Sequence, residues 1–324
     1  MPNKIIDRLN VSHLHAIIAQ TEQIEYKQSD VVVYQPPGHP KQARFDNEIW
    51  PPIFKQEFVR SAKNYKPKPT DAFVCTYPKC GTTWTQHILS QLMMEHYGPD
   101  IGKELCVTSP MIERMGAKFV ENLVHPRLLK THFEWRNVPK SRDAKYVFVC
   151  RNPKDCVVSY YFHNRNFKIY DFTDGDFNTF FDLFMEGRLG FGDYFDHLLG
   201  WLPHLSDPNV LFLRFEDMLQ DLPSAIVKLG KFVGGRSSEL VDDNEVLKRI
   251  TEQSKVEAMA QDQWRWFPEG NMNPNQRPFI RQGKKRDWIN YLSKEQSDRM
   301  DALFKLRMKG TIAEHWWQDE MSWD

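Results

Sequence analysis

The chain lacks an excess of either charge: 43 Lys+Arg stand against 43 Asp+Glu in 324 residues. That balance gives no net field for nucleic acid or an anionic membrane, so neither is expected as a partner, and any bound anion must be held by locally placed charge. No run of 18 uninterrupted apolar residues occurs, which excludes an ordinary membrane-spanning helix. The opening Met1-Pro2-Asn3-Lys4-Ile5-Ile6-Asp7 has no sustained apolar stretch, so a secretory signal is not expected. Cysteine is sparse. Cys75, Cys80, Cys106, Cys150 and Cys156 are odd in number and include no CxxC pair, which argues against a disulfide framework or a zinc site. They read as free thiols of a reducing compartment, the cytoplasm. Internal repeats and low-complexity segments are also missing.

Aromatic residues, by contrast, are abundant: 22 Phe, 11 Tyr and 10 Trp. Two readings fit that load, a large core or an apolar pocket for a planar ligand. Residues 1–50 read as an irregular segment on the substrate side, because Gln35-Pro36-Pro37-Gly38-His39-Pro40 and the following Trp50-Pro51-Pro52 carry loop punctuation. From Asp71 onward, short apolar runs alternate with longer helical ones. The runs are Ala72–Thr76, Leu128–Thr131, Tyr146–Cys150 and Val210–Leu213, and near-continuous hydrophobicity suits strands buried on both faces. Helical stretches follow three of them: Thr82–His96, Lys154–Phe162 and Asp217–Phe232. Two more are expected near Phe177–Gly187 and Glu295–Lys309. The pattern predicts an α/β fold, one domain over 1–324 with a central parallel sheet flanked by helices. Ligands of such sheets bind beyond the carboxyl ends of the strands.

After the first strand comes Thr76-Tyr77-Pro78-Lys79-Cys80-Gly81-Thr82-Thr83-Trp84. A strand, a glycine-containing loop and a helix start make a P-loop-like anion site, since unpaired N–H groups point at the ligand. Gly81 admits close backbone approach, Lys79 adds charge, Thr82 and Thr83 add hydroxyls, and Trp84 can stack on a base. The lysine precedes the glycine, unlike a Walker A loop, so no residue is placed to hold Mg²⁺ and no metal is expected. After the third strand comes Arg151-Asn152-Pro153-Lys154-Asp155-Cys156-Val157-Val158-Ser159-Tyr160-Tyr161, where arginine offers a bidentate fork to phosphate. Lys130-Thr131-His132 ends the second strand and supplies a side chain suited to taking a proton from an alcohol or phenol.

These segments resemble the cytosolic sulfotransferases, whose phosphosulfate loop reads TYPKSGTTW; Cys80 is the one departure. The second segment is similar to the family's RNPKDVxVSYY, and Lys130-Thr131-His132 to its KTH motif. The resemblance spans roughly residues 50–305. It implies PAPS as sulfuryl donor, PAP as product, and a small lipophilic hydroxyl-bearing acceptor such as a phenol, steroid or other alcohol. It assigns His132 as general base, Lys130 to charge on the transferring group, Lys79 to the bridging oxygen and the departure of PAP, and Arg151 and Ser159 to the 3′-phosphate, with Ser159 also positioning Lys79. Donor contacts are further implied for Phe215, where the family has Tyr, for Ser254, and for Arg281, Gln282 and Gly283 of a clamp similar to RKGxxGDW. Gln282 and Arg286 depart from that clamp, and one of Lys284, Lys285 or Arg286 is expected to replace the missing phosphate contact. The family's dimer motif KxxxTVxxxE is unmatched at Ile289, Ser293, Lys294 and Asp298, so a monomer or a differently built dimer is expected.

The acceptor side is read from aromatic residues. Phe133 follows the base, while Phe162, Phe167, Tyr170 and Phe172 follow the second donor segment; they face the pocket or fill the core. Cys80, at a helix start beside a lysine, is either a reactive thiolate or an inert stand-in for serine. Two rival functions remain open at this point: an ATP-dependent phosphotransferase, and a PAP-binding relative with altered or absent catalysis.

Overall fold

The computed structural model describes residues 31–94, 105–261, 265–266, 271–273 and 279–323. Strands β1 (Val32–Tyr34), β2 (Gln42–Phe45) and β3 (Glu48–Trp50) pair antiparallel in chain order. Strands β4 (Asp71–Cys75), β5 (Arg127–Thr131), β6 (Lys145–Cys150) and β7 (Val210–Arg214) form a parallel sheet in the order β5-β4-β6-β7. Each begins and ends within a residue of its expected position.

Every residue of β4 and β5 is buried, as the unbroken apolar runs require of strands covered on both faces. Alternation then sorts the side chains. Phe73, Cys75, Tyr146, Phe148 and Cys150 enter the larger, aromatic-rich core, whereas Ala72, Val74, Val147 and Val149 pack on the opposite face. The aromatic abundance is therefore largely core.

Helix Thr82–Met93 follows β4 and helix Pro153–Asn166 follows β6. Asn152 caps the latter by accepting from Asp155 N, with Pro153 in the first turn. The helical stretch expected after β7 is instead two helices, Phe215–Gln220 and Leu222–Val233. Asp221 breaks it by accepting from Ser224 N, with a proline in the new first turn. The chain leaves β4 toward β5 and leaves β6 toward β7 on the other side, so a crevice opens between the tips of β4 and β6.

Residues 31–50 depart from the irregular segment expected over 1–50; residues 1–30 lie outside the described residues. Asp46 and Asn47, both at positive φ (53° and 59°), make a two-residue turn between Phe45 and Glu48. Asx residues tolerate that conformation, and its twist matches a hairpin. Trp50 then stacks on Phe45 and Phe54 and meets Phe133 and Phe191 edge-on.

Candidate active site

The loop after β4 turns through two left-handed residues, Lys79 (φ 69°) and Gly81 (φ 95°). Gly81 is the N-cap of helix Thr82–Met93, so the helix's first N–H groups face the crevice. A Cβ at Gly81 would lie a tight 3.0 Å from the Phe215 ring, and the positive φ is one that residues with a side chain rarely adopt. Thr76 and Thr82 hydroxyls meet at 2.6 Å beneath the loop. The Lys79 ammonium lies 4.3 Å from the Phe279 ring centroid. Burial, followed by the charges of Arg151, Arg281 and Lys130, pushes its pKa down to about 7.

Arg151 is buried over the Phe215 ring at 4.3 Å and donates to the carbonyls of Lys79 (3.4 Å) and Lys284 (3.0 Å). It thereby ties the loop to the C-terminal clamp, while its Nε has no partner among the described residues. The neighbouring motif residues serve that clamp too. Asp155 accepts from the backbone of Arg286 (2.8 Å) and Trp288 (3.0 Å), and buried Lys154 donates to Ser297, Asp301 and the Met321 carbonyl. Arg281 pairs with Asp287. Gly283 (φ 57°) has no room for a Cβ, which would lie 2.2 Å from Val256. Arg286 takes the left-handed conformation (φ 63°) where the family pattern has glycine.

The expected replacement charge is not found in the pocket wall, which the clamp reaches through Arg281, Gln282 and Gly283. Lys285 faces Glu320 at 3.5 Å, Arg286 donates to the Ser322 carbonyl, and Lys284 contributes its backbone oxygen to Arg151. The unmatched dimer motif has a local use here. Ser293 forms a capping box with Gln296, and Lys294 pairs with Asp298, starting helix Lys294–Met308.

His132 ends β5 beside the loop. Its Nδ1 donates to the Thr76 carbonyl at 2.8 Å, so the neutral ring presents Nε2 as a lone pair. Burial and then the Lys130 charge depress its pKa to about 3. Buried Glu113 accepts from the His132 backbone N–H at 2.6 Å, and burial raises that carboxyl to about 7. Lys130, also buried, is lowered by the same desolvation.

One cavity of about 430 Å³ joins these groups. Its wall includes Lys79, Gly81, Thr82, Thr83, Trp84, Lys130, His132, Arg151, Ser159, Phe215, Arg281, Gln282 and Gly283 at the charged end. The other end is lined by Pro51, Ile53, Phe54, Val107, Met111, Met115, Phe167, Tyr170 and Phe191, with Arg114, while His163 stands near Lys79 where the two ends meet. Five residues expected at or near the site lie elsewhere. Cys80 is buried beneath the loop, its sulfur 3.7 Å from Cys156 Sγ, a packing role that removes it from reagents in the cavity. Ser254 is buried behind Trp84, whose indole donates to its carbonyl at 2.7 Å; Val256 and Met259 line the cavity instead. Phe133 packs on Trp50, and Phe162 borders only a small side cavity of about 10 Å³. Phe172 packs on Tyr161 and Phe180.

Three residues escaped the sequence reading. Glu113 and Phe191 carry no motif. His163 had a signal, its position one helical turn after Ser159. At the charged end, the unpartnered Arg151 Nε and the mutual repulsion at Lys79 are both relieved by an anion.

Comparison with known proteins agrees with this arrangement. Residues 69–312 match the sulfotransferase domain family. Sulfotransferase 1C2 of Rattus norvegicus is 34% identical over 264 residues, covering 77% of this chain and 86% of its own. The amine sulfotransferase of Oryctolagus cuniculus is 33% identical, covering 79% and 87%. Among solved structures, a mouse sulfotransferase complexed with PAP superposes with TM-score 0.70 at 23% identity, over 86% of this chain and 98% of that one. Retinol dehydratase in complex with androsterone and PAP gives 0.69 at 22%, over 84% and 90%. The chain belongs to the sulfotransferase family and is a PAPS-dependent sulfotransferase.

Proposed function

We propose that the protein sulfates the hydroxyl of a small lipophilic acceptor, a phenol, steroid or other alcohol, releasing a sulfate ester and PAP. The observation that carries this reading is the single cavity, cationic at one end and apolar at the other, with a neutral imidazole between. A carbohydrate would need many more polar partners than the few, such as Arg114 and Tyr170, that stand among the apolar side chains of that end.

PAPS, when bound, supplies an already activated sulfuryl group. The protein's part is alignment, charge and proton traffic. His132 Nε2 takes the acceptor's hydroxyl proton, because its tautomer is held by Thr76 and its low pKa keeps it neutral. Glu113 orients that histidine through its backbone N–H. Lys130 would offset the negative charge that builds on the transferring group, and Lys79 that on the leaving oxygen; both line the cavity. Lys79 gains a full positive charge on meeting an anion, since burial and then the charges of Arg151, Arg281 and Lys130 have lowered its pKa to about 7. Arg151, Ser159 and Arg281, which line the charged end, would hold the far phosphate, while Trp84 and Phe215 would border the base. In this reading Ser254 acts through Trp84, and Phe133 shapes the acceptor wall from behind.

A cytoplasmic setting is supported by five free thiols and by a Danio rerio relative named cytosolic sulfotransferase 1. No helix among the described residues is long and apolar enough to cross a membrane.

The deciding assay is transfer of ³⁵S from labelled PAPS to a panel of phenols, steroids and sugars, with and without EDTA. The expected result is labelled phenol or steroid ester, insensitive to EDTA. Label only on sugars overturns the acceptor class. Labelled phosphate from ATP and none from PAPS overturns the reaction.

A further inference from the structure

His163 has no part in the reaction described above, and its surroundings are unusual for a histidine. It lies one turn after Ser159 on helix Pro153–Asn166, and both residues line the main cavity and the small one beside it. The wall around it is aromatic, with Phe167, Tyr170 and Phe279 at ring-centroid separations of 4.5, 5.7 and 6.3 Å. Among the described residues none hydrogen-bonds the imidazole, and its Nδ1 is buried without a partner. Burial, then the neighbouring Lys79, His132 and Lys130, keep the ring neutral.

A neutral imidazole carries one donor and one acceptor. Leaving both unused in an aromatic wall is unfavourable, and phenylalanine would fill the same place without that penalty. The position also matters. The Phe279 ring lies against both His163 and the Lys79 ammonium, so the imidazole stands beside the reacting centre and not at the cavity's far end. A buried nitrogen with no partner is better tolerated as a lone pair than as an N–H. That puts the hydrogen on Nε2.

We propose that His163 is a specificity-determining residue whose Nε2–H donates to a second oxygen of the acceptor, close to the hydroxyl being sulfated. The favoured substrates are then catechol-like or α-oxygenated lipophiles and not simple phenols or alcohols. This inference rests on the hydroxyl-sulfating reading of the same cavity.

The test compares 2-methoxyphenol with 2-methylphenol, which are near in size and differ in one accepting oxygen. The intrinsic reactivity difference is removed by measuring both with wild type and with His163→Phe. The kcat/KM ratio, methoxy over methyl, is expected to fall about tenfold in His163→Phe, the weight of one hydrogen bond. PAP affinity should stay unchanged. His163→Gln, which keeps an N–H donor, is expected to retain part of the preference, and His163→Leu replaces the phenylalanine variant if that fails to fold. An identical ratio in wild type and the apolar variant overturns the assignment of His163. Absence of ³⁵S transfer to every hydroxyl acceptor by wild type overturns the underlying reading instead, a result distinct from an unchanged ratio.

Discussion

The two ends of the cavity are built by opposite means. The cationic, donor end is built from contiguous segments at neighbouring strand tips, Thr76–Trp84 after β4 and Arg151–Ser159 after β6, each running into the start of a helix. The acceptor end gathers single side chains from scattered places: Phe54 after the hairpin, Met111 and Met115 before β5, Phe167 and Tyr170 after a helix, and Phe191 at a left-handed turn (φ 71°). Backbone N–H groups at a helix start recognise any oxyanion of suitable size. Apolar side chains recognise only shape. The donor end is therefore rigid in its chemistry, and the acceptor end is where relatives of this fold can differ.

That contrast can be broken experimentally. The largest effect is expected at the junction of the two ends. His132→Ala should lower kcat by roughly 10²- to 10⁴-fold, the range of a general base, with PAP binding intact. Turnover at the wild-type rate would remove His132 from the reaction. Next, Arg151→Ala should weaken PAP binding by roughly 100-fold, about 2–3 kcal/mol for charge-assisted hydrogen bonds, and leave acceptor selectivity alone. Altered selectivity among acceptors would show that the two ends are not separable.

A smaller effect follows from Lys79. Its pKa in the free protein is lowered to about 7, chiefly by burial, and a bound anion raises it. Between those two values, binding must take up a proton, so PAP affinity falls as pH rises above 7, by up to about tenfold per unit. Below pH 7 the lysine is already charged, and its contribution is constant. Calorimetry at pH 8 in buffers of different ionisation enthalpy should reveal that uptake; a buffer-independent enthalpy would contradict the depressed value. The smallest change is expected from Met115→Ala on the apolar wall. It should shift kcat/KM among acceptors by up to about tenfold, the scale of a few methylenes in a hydrophobic pocket, while PAP affinity stays within about twofold. Loss of PAP binding in that variant would merge what the comparison separates.

How much of this was readable beforehand follows the same division. The four central strands and the loop Thr76–Trp84 could be placed almost to the residue, because apolar runs and a glycine at φ 95° are local requirements. The hairpin of β2 and β3 was missed, although Asp46-Asn47, between Phe45 and Glu48, is a local turn signal of its own. The break at Asp221 was missed for the same reason, a capping residue followed by proline inside an otherwise helical pattern. Errors at the site were of another kind. Ser254 and Phe133 stand one layer behind the surface they were expected to line, and Phe162 faces the side cavity. Motif order gives the neighbourhood of a residue but not the direction of its side chain. The clamp's lysines illustrate this: Lys285 and Arg286 meet the C-terminal segment at Glu320 and Ser322, which no local pattern foretells.

By itself, the sequence determined the sulfotransferase chemistry. Anion binding at a strand–loop–helix turn needs only neighbouring residues in a particular order. Tertiary structure alone decided which imidazole nitrogen of His132 presents its lone pair, since the ring takes its tautomer from a carbonyl 56 residues earlier in the chain. It alone also decided the acceptor's surroundings, because an apolar wall assembled from distant segments exists only once those segments have packed together.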